Sequence, residues 1–155
     1  MEWTTLAGTG LGALIGVGST LLADRVRWRR DAAVRDHQER RDIYVTCLTK
    51  YRLAYESMYA TARTHQNLDT LNPAVREAFR TSGCDEARES ALICAPQELS
   101  DVLEHVYATL RDLEEVLAAG QPTLDSPEFQ EHRLRHGQAV WAARVAMRRD
   151  LDRRV

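Results

Sequence analysis

The rhythm of apolar and polar positions changes several times along the chain. From Trp3 to Ala23 there is no charged residue. From Arg25 to Asp42 nearly every position is polar or charged, with Val26, Trp28, Ala32, Ala33 and Val34 as the apolar exceptions. Tyr44, Leu48, Tyr51, Tyr55, Met58, Ala62 and His65 then step 4,3,4,3,4,3 along the sequence. That spacing is a heptad seam, one helix face turned toward a neighbour. No Pro or Gly occurs between Ala23 and Leu71. The pattern therefore predicts a helix running without a break to about Leu68.

Further helices follow in order. Asn72-Pro73 predicts a stop and a restart, with Asn72 as the cap and Pro73 in the first turn. Ser82-Gly83-Cys84 interrupts the new helix, and Asp85–Cys94 resumes it. Pro96 opens the most regular element, in which Leu99, Leu103, Val106, Leu110, Leu113 and Leu117 step 4,3,4,3,4 until Gly120. Ser126-Pro127-Glu128 opens the last helix with a cap, a proline in the first turn and an acid near the positive end. Its apolar side is read as Phe129, Val140, Trp141, Val145, Met147 and Leu151. No segment alternates with period two. The fold class is all-α: one long N-terminal helix packed in an antiparallel bundle of about four helices.

The first 23 residues raise the question of location. Twenty-one uncharged residues make a helix of about 32 Å, against a hydrocarbon core of about 30 Å. Trp3 and Trp28 stand near the two ends, and Arg25, Arg27, Arg29 and Arg30 follow the run. Aromatic end residues and a one-sided arginine cluster predict a single-pass span of the inner membrane, N-terminus out and bundle in the cytoplasm. The start Met-Glu-Trp lacks the basic residues of a cleaved signal peptide. Gly8, Gly12 and Gly16 fall on one helix face. Small residues in that register let helices approach closely in lipid, which predicts a glycine zipper joining copies of the chain. The expected layout is an anchor over 1–24, a charged stalk over 25–42 and a bundle over 43–155.

Charge adds a second layer. The net formal charge is −2, but its distribution is uneven. Residues 81–128 hold eleven acids against Arg88 and Arg111, whereas the chain from Arg133 onward holds seven arginines against Asp150 and Asp152. The acidic and basic helices are expected to attract each other. The other reading is that Arg148, Arg149, Arg153 and Arg154 touch anionic lipid or a partner. Cys47, Cys84 and Cys94 are odd in number and lack CxxC spacing, which predicts reduced, packed residues. Lys50 is the sole lysine beside twenty arginines.

The Gly-rich span leading into RVRWRRDAAVRDHQERRDIYVTCLTKY, the later ALICAPQELSDVLEHVYATLRDLE, and the closing AMRRDL resemble a set of small actinobacterial proteins. Those proteins are membrane-anchored, helical and largely uncharacterised. An Ala-Pro before the third cytoplasmic helix and an Arg-x-Asp-Leu ending carry the resemblance. It covers nearly the whole chain and implies an architecture, with no activity and no catalytic residues.

Candidate chemistry is sparse. His132 and His136 are i, i+4 on the last helix with Glu128 one turn earlier, a spacing that can hold a metal. HExxH is absent, and Arg133 and Arg135 crowd the pair with positive charge. There is no GxxxxGK[ST] or GxSxG, and no Glu-x-x-His pair of the di-iron kind. Acids interleaved with the arginines of 25–41 argue against nucleic acid. The expectation is a non-catalytic, membrane-anchored interaction or scaffold module with no cofactor and no metal. Its expected partners are membrane lipid, further copies of itself and a cytoplasmic protein. The alternative is an oligomeric membrane effector of the pore-forming toxin or defence kind.

Overall fold

The structure, a computed structural model, describes residues 3–64, 67–120 and 124–153, with side-chain surroundings given from Asp24 onward except at Val26. Five helices follow one another: α1 (Trp3–Thr64), α2 (Leu68–Arg80), α3 (Cys84–Cys94), α4 (Gln97–Ala118) and α5 (Pro127–Asp152). No strand occurs among the described residues. The chain divides into two compact units, Met1–Glu39 and Arg40–Val155.

In the first unit the described side chains belong to α1 from Asp24 onward. Arg25, Arg27, Trp28, Arg29 and Arg30 are all exposed. Among the described residues no helix is long and apolar enough to cross a membrane. This corrects the expected single-pass span, its inner-membrane location and its N-out topology. The reason lies in the make-up of α1. Ten of the 21 residues from Trp3 to Ala23 are Gly, Thr or Ser, and the helix continues directly into charge at Asp24 and Arg25. The side chain of Trp3 and the face formed by Gly8, Gly12 and Gly16 lie outside the described side chains, as does the zipper expected of them.

In the second unit, cross-helix contacts give the direction of each helix. Tyr44 of α1 meets Asp150 of α5, Tyr55 meets His136, and Tyr59 meets Phe129. The numbers rise on α1 as they fall on α5, so the two are antiparallel. Thr109 pairs with His136 and Glu98 with Arg153, so α4 and α5 are antiparallel as well. Arg76 and Phe79 of α2 meet Glu115 and Arg111 of α4, and Asp85 and Arg88 of α3 meet Tyr107 and Glu104. Both α2 and α3 therefore oppose α4 and form one broken leg. The result is an up-down-up-down bundle with four legs.

Its core runs through the α4 stripe. Leu99, Leu103, Val106, Leu110, Leu113 and Leu117 are all buried. On α1 the centre of the inward face is Tyr44, Cys47, Tyr51, Ala54 and Met58, while Leu48 and Tyr55 lie half-buried on its flank. The two small residues Cys47 and Ala54 leave room between the tyrosines, so the deepest row sits slightly round the helix from the 44–48–51–55–58 seam.

The helix starts show local chemistry. The α2 cap is Asn67, whose side chain accepts from the Asp69 backbone N–H at 2.9 Å. Asn72-Pro73 lies inside the helix and is not its start. Pro73 removes a single N–H so early in the helix, and the Asn72 carboxamide accepts from Arg76 Nε instead. Ser126 caps α5 by accepting from the Phe129 N–H at 3.2 Å.

Two glycines hold left-handed backbone, Gly83 with φ 73° and Gly120 with φ 66°. A Cβ on Gly120 would stand 2.4 Å from Leu68 Cδ2 and 3.0 Å from Leu71 Cδ2. Leu68 is exposed and can swing aside, but Leu71 is buried. Adding that crowding to the left-handed strain, Gly120→Ala is expected to lower unfolding free energy by about 2 kcal/mol. At Gly83 the nearest atom is the flexible Lys50 Nζ at 3.3 Å, so Gly83→Ala is expected to cost about 1 kcal/mol. Urea unfolding of the two variants side by side checks the order.

Candidate functional site

The polar groups inside the bundle act as cross-links. Tyr44 donates to Asp150 Oδ2 at 2.8 Å in a buried pair. Burial, and then the bond to Asp150, push the tyrosine pKa well up. Arg40 donates to the Cys94 carbonyl at 2.8 Å, tying α1 to the end of α3. The Glu114 side chain is only 2 % exposed and sits between Arg111, its direct partner, and Arg76 at 3.8 Å. Burial pushes its carboxyl above the usual range, against the pull of both arginines. Arg88 lies over the Tyr107 ring at 4.5 Å and reaches Glu104 at 2.7 Å. Tyr107 donates to Asp85 at 2.8 Å.

His136 is buried inside α5. Thr109 Oγ1 donates to the Val106 carbonyl at 2.8 Å, which leaves the hydroxyl oxygen to accept from His136 Nδ1 at 3.0 Å. That geometry calls for a neutral imidazole protonated on Nδ1. Burial pushes the His136 pKa down to about 4. His132 is half-buried, with an Nδ1 that has no hydrogen-bond partner, and Glu128 is exposed. The three residues of that candidate thus differ in surroundings, with His136 buried against Thr109 and Glu128 exposed. Among the described residues no three His, Cys, Asp or Glu side chains are grouped to hold a metal.

The cysteines Cys47 and Cys84 are buried as free thiols and Cys94 is half-buried. Burial raises Cys47 to about 11, so it is protonated and unreactive at neutral pH. The fully buried Tyr51 hydroxyl finds no good acceptor. Its neighbour is the Cys47 thiol, a weak one, and burial followed by Cys47 drives the Tyr51 pKa far upward.

Two of the surface grooves bear on binding. One of about 470 Å³ lies between α1 and α3, where Asp42, Lys50, Glu86 and Ser90 ring an Ile43–Ala87 floor. Its rim mixes both signs of charge. The other, about 500 Å³, lies along the outward side of α5 around Leu134, Gly137 and Trp141. Leu134 is 63 % exposed and Trp141 67 %. A Cβ on Gly137 would meet nothing within 4 Å. The inward row of α5 is Phe129, His136, Ala139, Ala143, Met147 and Asp150, so Trp141 belongs to the opposite side from the one its apolarity suggested.

The arginines divide along the same line. Arg52, Arg76, Arg80, Arg88 and Arg111 each hold a carboxylate. On α5, Arg135 pairs with Glu131 and Arg153 with Glu98. Arg133, Arg144, Arg148 and Arg149 hold none among the described residues. The acidic helix α4 is thus served mainly by α2, α3 and its own Arg111. Among the described residues its charge contact with α5 is the exposed Glu98–Arg153 pair at 3.5 Å. Spacing alone holds a signal for this face: Leu134 and Trp141 are i, i+7, on the side away from Phe129, His136 and Ala143.

No protein-family model, curated protein or solved structure matches the chain.

Proposed function

We propose that this chain is a non-catalytic helical interaction module, in which the bundle is a firm support and the outward face of α5 receives another protein. The exposed Leu134–Trp141 stripe carries this reading. A tryptophan and a leucine two turns apart, separated by a glycine, form an apolar strip that contributes no packing to the bundle behind it. Large exposed aromatics of this kind are the residues that dominate binding energy at protein interfaces. The interior supports the same reading. Several of its buried polar groups hold helices together: Tyr44 with Asp150, Thr109 with His136, and Glu114 with Arg76.

The test is photo-crosslinking in cells, with a photoreactive residue placed at position 141. Position 93 serves as a control, because Ile93 is 84 % exposed on α3. A discrete crosslinked species from 141 that is missing from 93 is the expected result. Identical patterns from both positions, or none from 141, would overturn the proposal.

A further inference from the structure

We propose that the partner segment received by α5 is an amphipathic helix carrying carboxylates along one flank of its apolar stripe; this rests on the interaction-module reading above. The argument is charge complementarity at one defined strip. Leu134, Trp141 and Arg148 step i, i+7, i+14 along α5, and Arg133, Gly137, Arg144 and Arg148 step i, i+4, i+11, i+15 along the adjoining row. Residues three and four apart share a helix face. The apolar strip therefore has one flank on which Arg133, Arg144 and Arg148 converge. All three are exposed and have no carboxylate among the described residues. On the opposite flank Arg135 holds Glu131 at 3.0 Å, while Arg149 has no carboxylate among the described residues. An incoming helix thus meets leucine and tryptophan in the middle, three arginines without carboxylates on one side, and a partly paired flank on the other.

Gly137 fits the same occupant. It sits in the interior of α5, where glycine costs about 1 kcal/mol relative to alanine, and no contact inside the bundle requires it. The missing side chain opens the groove between Leu134 and Trp141 and lets another helix approach the α5 backbone. Helix-in-groove recognition uses anchors at i, i+3, i+4 and i+7, and the Leu134–Trp141 separation matches one such repeat. A groove built on one helix, with one cationic flank, selects for a helical partner with acidic residues in matching register.

The experiment uses the full chain and three probes. The first is a labelled amphipathic helical peptide with a Leu/Ala stripe and glutamates on one flank. The second is the same peptide with lysines in place of the glutamates. The third is a set of phosphatidylglycerol–phosphatidylcholine vesicles. Fluorescence anisotropy should show binding of the glutamate peptide, at least about tenfold tighter than the lysine peptide, and weakening as salt screens the flank. Arg144→Glu/Arg148→Glu should weaken it about tenfold or more, as reversal of charges facing carboxylates does. Gly137→Ala should weaken it while leaving the fold at least as stable, a separation that a purely structural role for Gly137 does not produce. Equal affinity for the two peptides, no binding of the glutamate peptide, or binding of the vesicles in its place would each overturn the inference. The crosslink at position 141 tells the two failures apart. If it persists while the glutamate peptide fails, the module reading stands and its partner has other chemistry. If both fail, both readings fall.

Discussion

Phe129→Ala should be among the most damaging single substitutions in the bundle, lowering unfolding free energy by about 3–5 kcal/mol. Phe129 is fully buried in the first turn of α5 and stacks on Tyr59 with ring centroids 6.0 Å apart and planes 20° from parallel. Two costs combine on truncation: the lost transfer free energy of the ring, and a cavity that rigid neighbours fill only in part. The position makes collapse difficult. Ser126 holds the Phe129 backbone through its cap, and Tyr59 is fixed on α1 between Phe129 and Tyr55, whose ring centroid lies 5.9 Å away. Against a typical domain stability of about 5–15 kcal/mol, such a loss removes a large share. Urea unfolding followed by circular dichroism measures it. A loss below about 1 kcal/mol would mean that the α1–α5 contact is much looser than the stacked rings indicate.

The second large effect is acid sensitivity through His136. Its folded pKa lies near 4, below the ordinary 6.5, because burial disfavours the imidazolium. Below pH 6.5 the unfolded chain takes up a proton at this residue while the folded chain does not. Stability from the neutral, buried imidazole is therefore full above about 6.5 and declines as pH falls toward about 4, where the folded residue also protonates. Integrated over that window the loss is about 3 kcal/mol. Thr109 accepts from Nδ1 and the Tyr55 ring lies 6.1 Å away, and among the described residues burial alone, with no charged neighbour, sets the His136 shift. Glu114 works in the opposite sense. Its raised carboxyl gains stability for the fold as it protonates, but it does so in any variant that keeps it. The comparison is between the parent and His136→Leu, which fills the site without titrating. Thr109 keeps its bond to the Val106 carbonyl in that variant. The stability difference between the two proteins should shift steadily in favour of His136→Leu as pH drops from 6.5 to 4. Parallel curves across that range would contradict a buried neutral histidine.

The fold was legible wherever periodicity was strong. The 4,3,4,3,4 leucine stripe of α4 and the Ser126-Pro127-Glu128 start of α5 depend on local pattern and local capping, and both read directly from the chain. Asn72-Pro73 carries a stronger local start signal than Asn67, yet α2 is capped by Asn67, because the helix tolerates a proline this close to its beginning. The α1 face was offset because Cys47 and Ala54 contribute little apparent hydrophobicity, yet their small size is what admits Tyr44, Tyr51 and Met58 to the core. The α5 face was harder still. Its inward row includes His136 and Asp150, polar residues whose burial is made tolerable by Thr109 and Tyr44 on other helices. A pattern scored on apolarity assigns Trp141 inward and those two outward. The long-range partners reverse that order. The pairing of the arginines is of the same kind, since which of them lack a carboxylate depends on which helices stand beside them.

The claim that joins these observations is that α5 has two separate faces, one that builds the bundle and one that takes no part in it. Leu134→Ser/Trp141→Ser tests it most directly, by urea unfolding at neutral pH beside the parent. The expected result is an unfolding free energy within about 0.5 kcal/mol of the parent, as for substitutions at exposed sites without structural duty. A loss of about 2 kcal/mol or more would show that Leu134 and Trp141 help to hold the bundle together, and the outward face would then be part of the fold and no receiving surface.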